Sequence, residues 1–320
     1  MKNASENIAF LPPYLNPNLN PSPKVAACNN DADMQSVVQL ILALRDPNLR
    51  EDALCRLCKV FNFLLQHKKG MIPNLAMLLW NSPGTVAVLL QHFLFDLLQE
   101  VVSIYSLLSP PNLATAQSNR ICNVLALLQC MASHPDTKIL FLNAYVPLYV
   151  YPFLNTHCRD TTFEHLRLST LGVIGFFVTE IDTDVIAYFL SGEMVPLCMR
   201  NMEIGKILSK TVATYIIRQI LLCDVGLEYI CEPQERFFAL CRVMAIQIAL
   251  LAQRPSFSKL LKLIIGCYLR LSDNPRARDA LRSFLPRVLR DGTFTRCLQE
   301  DASTVEMLQR LLHNLYRPPR

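Results

Sequence analysis

Apolar residues recur at helical spacing along most of this chain. Two stripes in its middle show the pattern, the second wide enough to cover several sides of one helix. The first consists of Leu168, Leu171, Ile174, Gly175 and Val178, and the second of Val212, Tyr215, Ile216, Ile217, Ile220 and Leu221. Such a period is typical of an α-helix, and a stripe this wide indicates a helix surrounded by neighbours. Because no run alternates with the period of a strand, the pattern predicts an all-α protein.

Polar breaks interrupt these helices at intervals of 42 to 50 residues. They lie at Pro135, Asp182, Asp224 and Asn274, and each is followed by a proline that restarts the chain, at Pro147, Pro196, Pro233 and Pro286. Units of two or three helices at this period are typical of armadillo and HEAT repeats, which bury their apolar faces by stacking on one another. The sequence therefore predicts a right-handed armadillo/HEAT-like solenoid of about six helical repeats.

The two ends of the chain lack this periodicity. Residues 1–33 combine prolines with asparagines, which predicts a disordered tail, and Asp33 is a suitable N-cap for the first helix. Pro318 and Pro319 prevent a last helix from continuing, so that 317–320 form a short C-terminal tail. We expect one repeat domain over residues 34–316.

Composition supports a large buried core. Of the 320 residues, 52% are hydrophobic and 18% are charged, which excludes a wholly disordered chain. The stretches Gly70–Phe95 and Ile139–Cys158 carry no charge, but prolines and asparagines interrupt both. We therefore expect helices buried among other helices, and no membrane span.

Catalytic and metal-binding patterns are not found. The six histidines never stand at ligand spacing, and Cys55-x-x-Cys58 has no second pair to complete a zinc site. The twelve cysteines form no regular framework, and residues 1–10 contain no signal-peptide core, so a reduced intracellular compartment is expected. The sequence predicts a protein without enzymatic activity or cofactor.

Two surfaces are candidates for binding. Tyr145, Tyr149, Tyr151 and Phe153 lie around two prolines, where they either stack on a ligand or pack in the core. Between Arg254 and Arg296, ten basic residues accompany three acidic ones. The basic residues that we assign to a nucleic-acid groove are Lys259, Lys262, Arg270, Arg278 and Arg282. A solvated face and a surface for an acidic protein are the alternatives.

Several segments resemble one family closely. They read QSNRICNVLALLQCMASHPDTKILFLNAYVPLYVYPFLNT, LSKTVATYIIRQILLCDVGLEYIC and GCYLRLSDNPRARDAL, and the likeness extends over about residues 34–316. This chain is similar to the cell-differentiation protein family of the Rcd-one or Caf-forty type, the armadillo-type subunit nine of the CCR–NOT deadenylase complex.

The resemblance implies a non-catalytic subunit. Family members dock on the NOT-one scaffold and bind tryptophan-containing disordered adaptors, and single-stranded nucleic-acid binding and homodimer formation are also attributed to them. The implied outcome is mRNA deadenylation and decay with translational repression, in the cytoplasm, including P-bodies, and in the nucleus. Carried over by motif, Arg236, Phe237, Pro275 and Arg276 line the adaptor pocket, although Gln234 replaces a frequent aromatic.

Three further departures concern the N-terminal third. Pro83 replaces the phenylalanine of the family's W-x-S-F-G-T motif. About eight extra residues occur near Val60–Gly70, and about eight more at His92–Gln99. Because eight residues advance a helix by about 80° beyond whole turns, we expect a bulge near His92–Gln99 that exposes Phe93, Leu94 and Phe95.

Overall fold

The computed structural model describes residues 30–43, 46, 48–67, 97–133, 135–253, 258–294 and 301–316. These residues contain helices and no strand, which confirms the all-α prediction. The helices are α1 (Asn30–Ala43), α2 (Arg50–His67), α3 (Thr115–Ala132), α4 (Pro135–Asn143), α5 (Val146–Leu154), α6 (Thr161–Phe177), α7 (Thr183–Leu190), α8 (Met194–Ile204), α9 (Ile207–Leu222), α10 (Asp224–Cys231), α11 (Gln234–Gln253), α12 (Ser258–Leu271), α13 (Pro275–Phe284) and α14 (Ala302–Tyr316). Residues 97–103 are also helical, and Tyr105–Leu107 and Arg287–Leu289 form 3₁₀ turns.

The chain divides into two compact units, the first ending at Phe177 and the second beginning at Val178. In the first unit α3 packs on α6 and on α2, and α5 packs on α4 and α6. Arg167 of α6 is fully buried. It donates one hydrogen bond of 2.5 Å to Oε2 of Glu164 and one of 2.8 Å to the carbonyl of Cys158. The hydrogen bond to Cys158 therefore fixes the loop before α6 to the first turns of that helix.

In the second unit, α7–α9 and α10–α12 form two successive groups of three helices. Each helix packs on the equivalent helix of the other group, α7 on α10, α8 on α11 and α9 on α12, and α12 packs in turn on α14. That register is the one expected of stacked armadillo repeats. The complete right-handed solenoid of about six repeats stays a prediction.

Buried glutamines connect successive repeats within each unit. Gln129 donates 2.9 Å to the carbonyl of Ser169, and Gln219 donates 2.9 Å to the carbonyl of Val178. The partners stand 40 and 41 residues apart, which is the repeat length. Because a buried carbonyl without a donor is costly, each bond fixes the register between repeats as well as stabilising the contact.

Helix caps confirm two of the predicted polar breaks. Asp182 accepts hydrogen bonds from the backbone of Asp184 and Val185 at the start of α7, and Asn274 accepts one from Ala277 before Pro275 at the start of α13. The predicted N-cap Asp33 is wrong, because α1 begins at Asn30. Asp33 therefore lies within the first turn of the helix, and its residue type alone did not mark the boundary.

Several predictions concern residues at the edge of the described part. The extra segment near Val60 continues α2 as far as His67, and residues 97–99 of the second extra segment are helical. Residues 68–96, which include Trp80, Pro83 and Phe93–Phe95, lie outside the described residues, as do 1–29 and 317–320. Within the described helices, none is both long and apolar enough to span a bilayer.

Candidate partner-binding site

Arg236 lies flat on an aromatic ring at the junction of α10 and α11. Its guanidinium carbon is 3.5 Å from the ring centroid of Tyr229, and the same group donates to the carbonyl of Tyr229. Pro233 ends the link between the two helices and accepts the backbone hydrogen bond of Arg236 at 3.0 Å. Both side chains are half-buried. The arrangement presents a fixed planar cation with one face on an aromatic, and planar cations also stack on indole rings.

Phe237 lies beneath this surface rather than on it. It is only 3% exposed, and its ring contacts Phe238 edge-on at 5.1 Å. Phe238 in turn packs at 4.8 Å on Phe284, whose side chain is 57% exposed. The exposed aromatic of this cluster is therefore Phe284, at the C-terminal end of α13.

Pro275 and Arg276 occupy the other end of α13. Both are exposed, and Arg276 makes no ion pair or hydrogen bond within the described residues. From Pro275 to Phe284 the helix rises about 13 Å at 1.5 Å per residue. No hydrogen bond, ion pair or ring contact joins Arg276 to Arg236 in the described part of the chain, and the predicted pocket residues lie as one pair on α11 and one pair on α13.

The predicted nucleic-acid residues are mostly engaged with their own chain. Lys262 is 3.3 Å from the carboxylate of Asp301, and Arg270 pairs with both Asp224 and Asp273. Of this set only Lys259 is exposed without a hydrogen bond or ion pair among the described residues. Arg278 donates to the carbonyl of Ser272, and Arg282 donates to the carbonyl of Leu315 and pairs with Asp279. Three of these five side chains, Lys262, Arg270 and Arg282, therefore form ion pairs within their own chain.

The aromatic cluster near Pro147 is divided between core and surface. Phe153 is fully buried and contacts Tyr105 edge-on, with 6.0 Å between ring centroids. Tyr145 and Tyr149 are 61% and 40% exposed. Packing in the core thus explains Phe153 and does not explain the two exposed tyrosines.

Thiol and metal chemistry finds no support in the described residues. No group of three histidines, cysteines or carboxylates within them is arranged to hold a metal ion. Burial raises the pKa of Cys231 to about 11, and it raises the pKa of Cys241 and Cys267 to about 12. Cys55 and Cys58 lie on α2, with Cys58 buried. Thiols held in this protonated state are inert nucleophiles at neutral pH.

One cation that the sequence analysis did not single out is Arg218 of α9. Its side chain is half-buried and crosses α12 at Gly266. The available signal was a basic residue on an otherwise apolar face, together with a glycine inside the apolar helix α12. The sequence alone does not show that the two residues meet.

Comparison with known proteins gives a consistent family. The sequence profile of the Cell differentiation family, Rcd1-like, matches residues 40–315. The chain is 48% identical over 279 residues to the Cell differentiation protein rcd1 of Schizosaccharomyces pombe, covering 87% of this chain and 93% of that protein. It is 43% identical over 301 residues to the Protein CAF40 of Saccharomyces cerevisiae, covering 90% of this chain and 76% of that protein. The chain therefore belongs to the Rcd1-like cell differentiation family.

Proposed function

We propose that this chain is a non-catalytic adaptor subunit of the CCR–NOT complex, which links mRNA-targeting partners to the deadenylase module and so promotes mRNA decay and translational repression. The observation that carries this proposal is the alignment with the Protein CAF40 over 90% of the chain. Both matched proteins extend over nearly all of the repeat helices, so the surfaces that stacked repeats present are the shared feature. The site of action follows from the role: the cytoplasm, including P-bodies, and the nucleus.

The scaffold interaction is tested directly by co-purification. The tagged full chain is incubated with the NOT-one scaffold at moderate salt, beside a version that lacks His92–Gln99. Capture of the scaffold by both versions supports the proposal and shows that the extra segment is tolerated. Capture by the shortened version alone identifies a chain that has lost scaffold docking, and capture by neither contradicts the adaptor role.

Recognition of tryptophan is proposed for the Arg236 surface. A guanidinium already stacked on Tyr229 is held in one orientation, which lowers the entropic cost of accepting an indole on its other face. Pro275 and Arg276 provide a second exposed surface, with Phe237 supporting the first from within. The two surfaces lie on different helices, α11 and α13, and we assign one tryptophan of an extended adaptor to each.

The experiment uses an unstructured peptide with two tryptophans and its double alanine counterpart. We expect the R236A and R276A variants each to weaken binding of the tryptophan peptide by about ten-fold, as the loss of a desolvated cation–π contact implies. R242A is the matched control, because Arg242 is also on α11, exposed and without an ion pair in the described residues. Equal affinity for the two peptides contradicts the assignment.

Direct binding of single-stranded nucleic acid is the second candidate. The observation in its favour is the basic stretch between Arg254 and Arg296, and exposed Lys259 is its least compensated member. Against it stand the internal ion pairs of Lys262 and Arg270. Binding through phosphates decreases steeply with salt, whereas an apolar protein interface does not, so a salt titration with a labelled oligouridylate separates the two. Self-association to a homodimer, also proposed, is measured by sedimentation.

A further inference from the structure

The guanidinium of Arg218 occupies a slot that depends on glycine. A Cβ atom at Gly266 would lie 2.7 Å from Nε of Arg218 and 3.2 Å from its Cδ. Glycine at position 266 therefore leaves the space in which the side chain of Arg218 lies across α12. The two helices pack on each other, so the slot is at their common surface.

Arg218 has no partner for its charge within the described residues. It makes no hydrogen bond and no ion pair there, although its side chain is half-buried. The charge of Arg218 acts on a buried thiol, Cys267, and on a buried phenol, Tyr215, and burial raises the pKa of both, to about 12. Both groups are thus neutral at pH 7 and do not compensate the cation. A half-buried guanidinium has lost part of its water without gaining an acceptor.

The cations on either side of the slot are, by contrast, neutralised. Lys262 precedes Gly266 by four residues and pairs with Asp301, and Arg270 follows by four residues and pairs with Asp224 and Asp273. Arg270 also donates a hydrogen bond of 2.9 Å to the carbonyl of Leu221 on α9. It therefore lies, like Arg218, at the surface where α9 packs on α12, which we call the seam. Residues four apart on a helix are neighbours on one face. The seam therefore carries one uncompensated cation between two compensated ones.

We propose that Arg218 binds one carboxylate, that of an aspartate or glutamate in the adaptor peptide that this chain recruits. Arginine presents paired N–H donors that match a carboxylate, and the bond gains strength in a partly desolvated site. A nucleic-acid strand is instead bound through several phosphates, and the described residues of the seam offer only two uncompensated cations, Arg218 and, about 10 Å further along α12, Lys259. The inference rests on the adaptor function and adds the chemistry of the partner.

The test selects peptides rather than assuming one. A random dodecapeptide library displayed on phage is panned against the full chain and against the R218Q, G266A and R242Q variants. We expect the parent chain and R242Q to enrich peptides that contain Asp or Glu, and R218Q to lose that enrichment. G266A retains the charge but its Cβ displaces the guanidinium, so we expect it to lose the enrichment as well.

A synthetic peptide from the selection then measures the contact. Replacing its acidic residue by the amide is expected to weaken binding to the parent chain about ten-fold, the worth of a charge-assisted hydrogen bond, and to have no effect on R218Q. The inference is overturned if the parent chain and R218Q enrich the same peptides, or if G266A behaves as the parent does. It is also overturned if oligouridylate binding depends on Arg218 and Lys259 alike while no acidic peptide is enriched. The adaptor role is tested separately by the co-purification. If the chain captures no scaffold while its Arg218 still selects acidic peptides, the adaptor role fails and the carboxylate site stands.

Discussion

Arg167 in the first unit and Arg218 in the second are the same residue type in opposite circumstances. Arg167 is fully buried and donates to acceptors of its own chain, the Glu164 carboxylate and the carbonyl of Cys158. Arg218 is half-buried, lies over Gly266 and has no acceptor within the described residues. A buried cation whose charge is paired within the chain holds the fold together. A partly exposed cation without one is available to a partner.

The largest expected effect is that of removing the buried cation. R167M leaves the carboxylate of Glu164 buried without its arginine, so we expect the free energy of unfolding to decrease by about 3–5 kcal/mol. R218M removes a cation that stabilises nothing in the described chain, and we expect a change below about 0.5 kcal/mol. Urea unfolding followed by circular dichroism measures both. Equal losses in the two variants would remove the distinction between the two arginines.

The E164Q/R167M double variant tests the cause of that loss. If the unpaired carboxylate is responsible, the double variant recovers part of the stability that R167M loses, because no buried charge remains. If the hydrogen bonds to the loop carbonyls are responsible, the double variant is no more stable than R167M.

Gly226 and Gly266 of the second unit differ in a similar way, because Gly226 lies against backbone and Gly266 against a flexible side chain. A Cβ at Gly226 would lie 2.0 Å from the backbone oxygen of Ile220, at the end of α9. Because a backbone atom cannot rotate away, G226A must displace α10 from α9, and we expect a loss of about 2–3 kcal/mol. The thermal midpoint of the variant measures this, and a midpoint equal to that of the parent chain would mean that the two helices adjust freely.

A smaller effect on stability is expected when Asp301 is replaced, which leaves Lys262 without its ion-pair partner. Partial burial alone would raise the pKa of Asp301, but hydrogen bonds from Thr304 and Ser303 and the charge of Lys262 lower it to about 2 from 3.8. A carboxyl with a lowered pKa stabilises the fold above its unfolded value and loses that effect as the pH falls from about 4 towards 2. D301N should therefore be less stable than the parent by less than about 1 kcal/mol at pH 7.

The measurement is the difference in unfolding free energy between parent and D301N across that pH range. At pH 7 the difference is present, and it decreases as the pH falls towards 2, where about half of the parent carboxyls are protonated. The second consequence concerns Lys262, which becomes uncompensated in D301N. Acidic peptides should then bind the seam more tightly, whereas an unchanged affinity would show that the seam is not the recognition surface.

The sequence predicted the parts of this fold that depend on neighbouring residues. The caps Asp182 and Asn274 bond to backbone groups two or three residues ahead, so their residue types and positions suffice. Lys262 pairs with Asp301, 39 residues away, and Arg270 pairs with Asp224, 46 residues away, as well as with nearby Asp273. Their charge therefore appeared free in the sequence and is compensated in the structure, because repeat stacking brings distant segments together.

The same limit applies to the predicted pocket. Phe237 and Phe238 are adjacent in the sequence, and their residue types do not indicate which of the two faces inwards. The structure buries Phe237 and sets Phe238 against exposed Phe284, a residue of α13 that the motif did not include. Arg218 was missed for a related reason. It lies against Gly266, a residue without a side chain on another helix, and such a contact leaves no local pattern in the sequence.

The smallest expected effect on stability is also the most discriminating. In G266A the new Cβ meets Nε, Cδ and Cζ of a flexible side chain, with no backbone atom among its nearest contacts. Arg218 can move aside, and alanine favours a helix interior over glycine by roughly 0.5–1 kcal/mol, so we expect G266A to unfold within about 0.5 kcal/mol of the parent. Recognition of the acidic peptide should decrease by about ten-fold in the same variant, since a displaced guanidinium no longer meets the carboxylate in register. A large loss of stability in G266A would mean that Arg218 has a structural role like that of Arg167. Retained stability with lost recognition would assign Gly266 to the site itself, as the residue that leaves room for its cation.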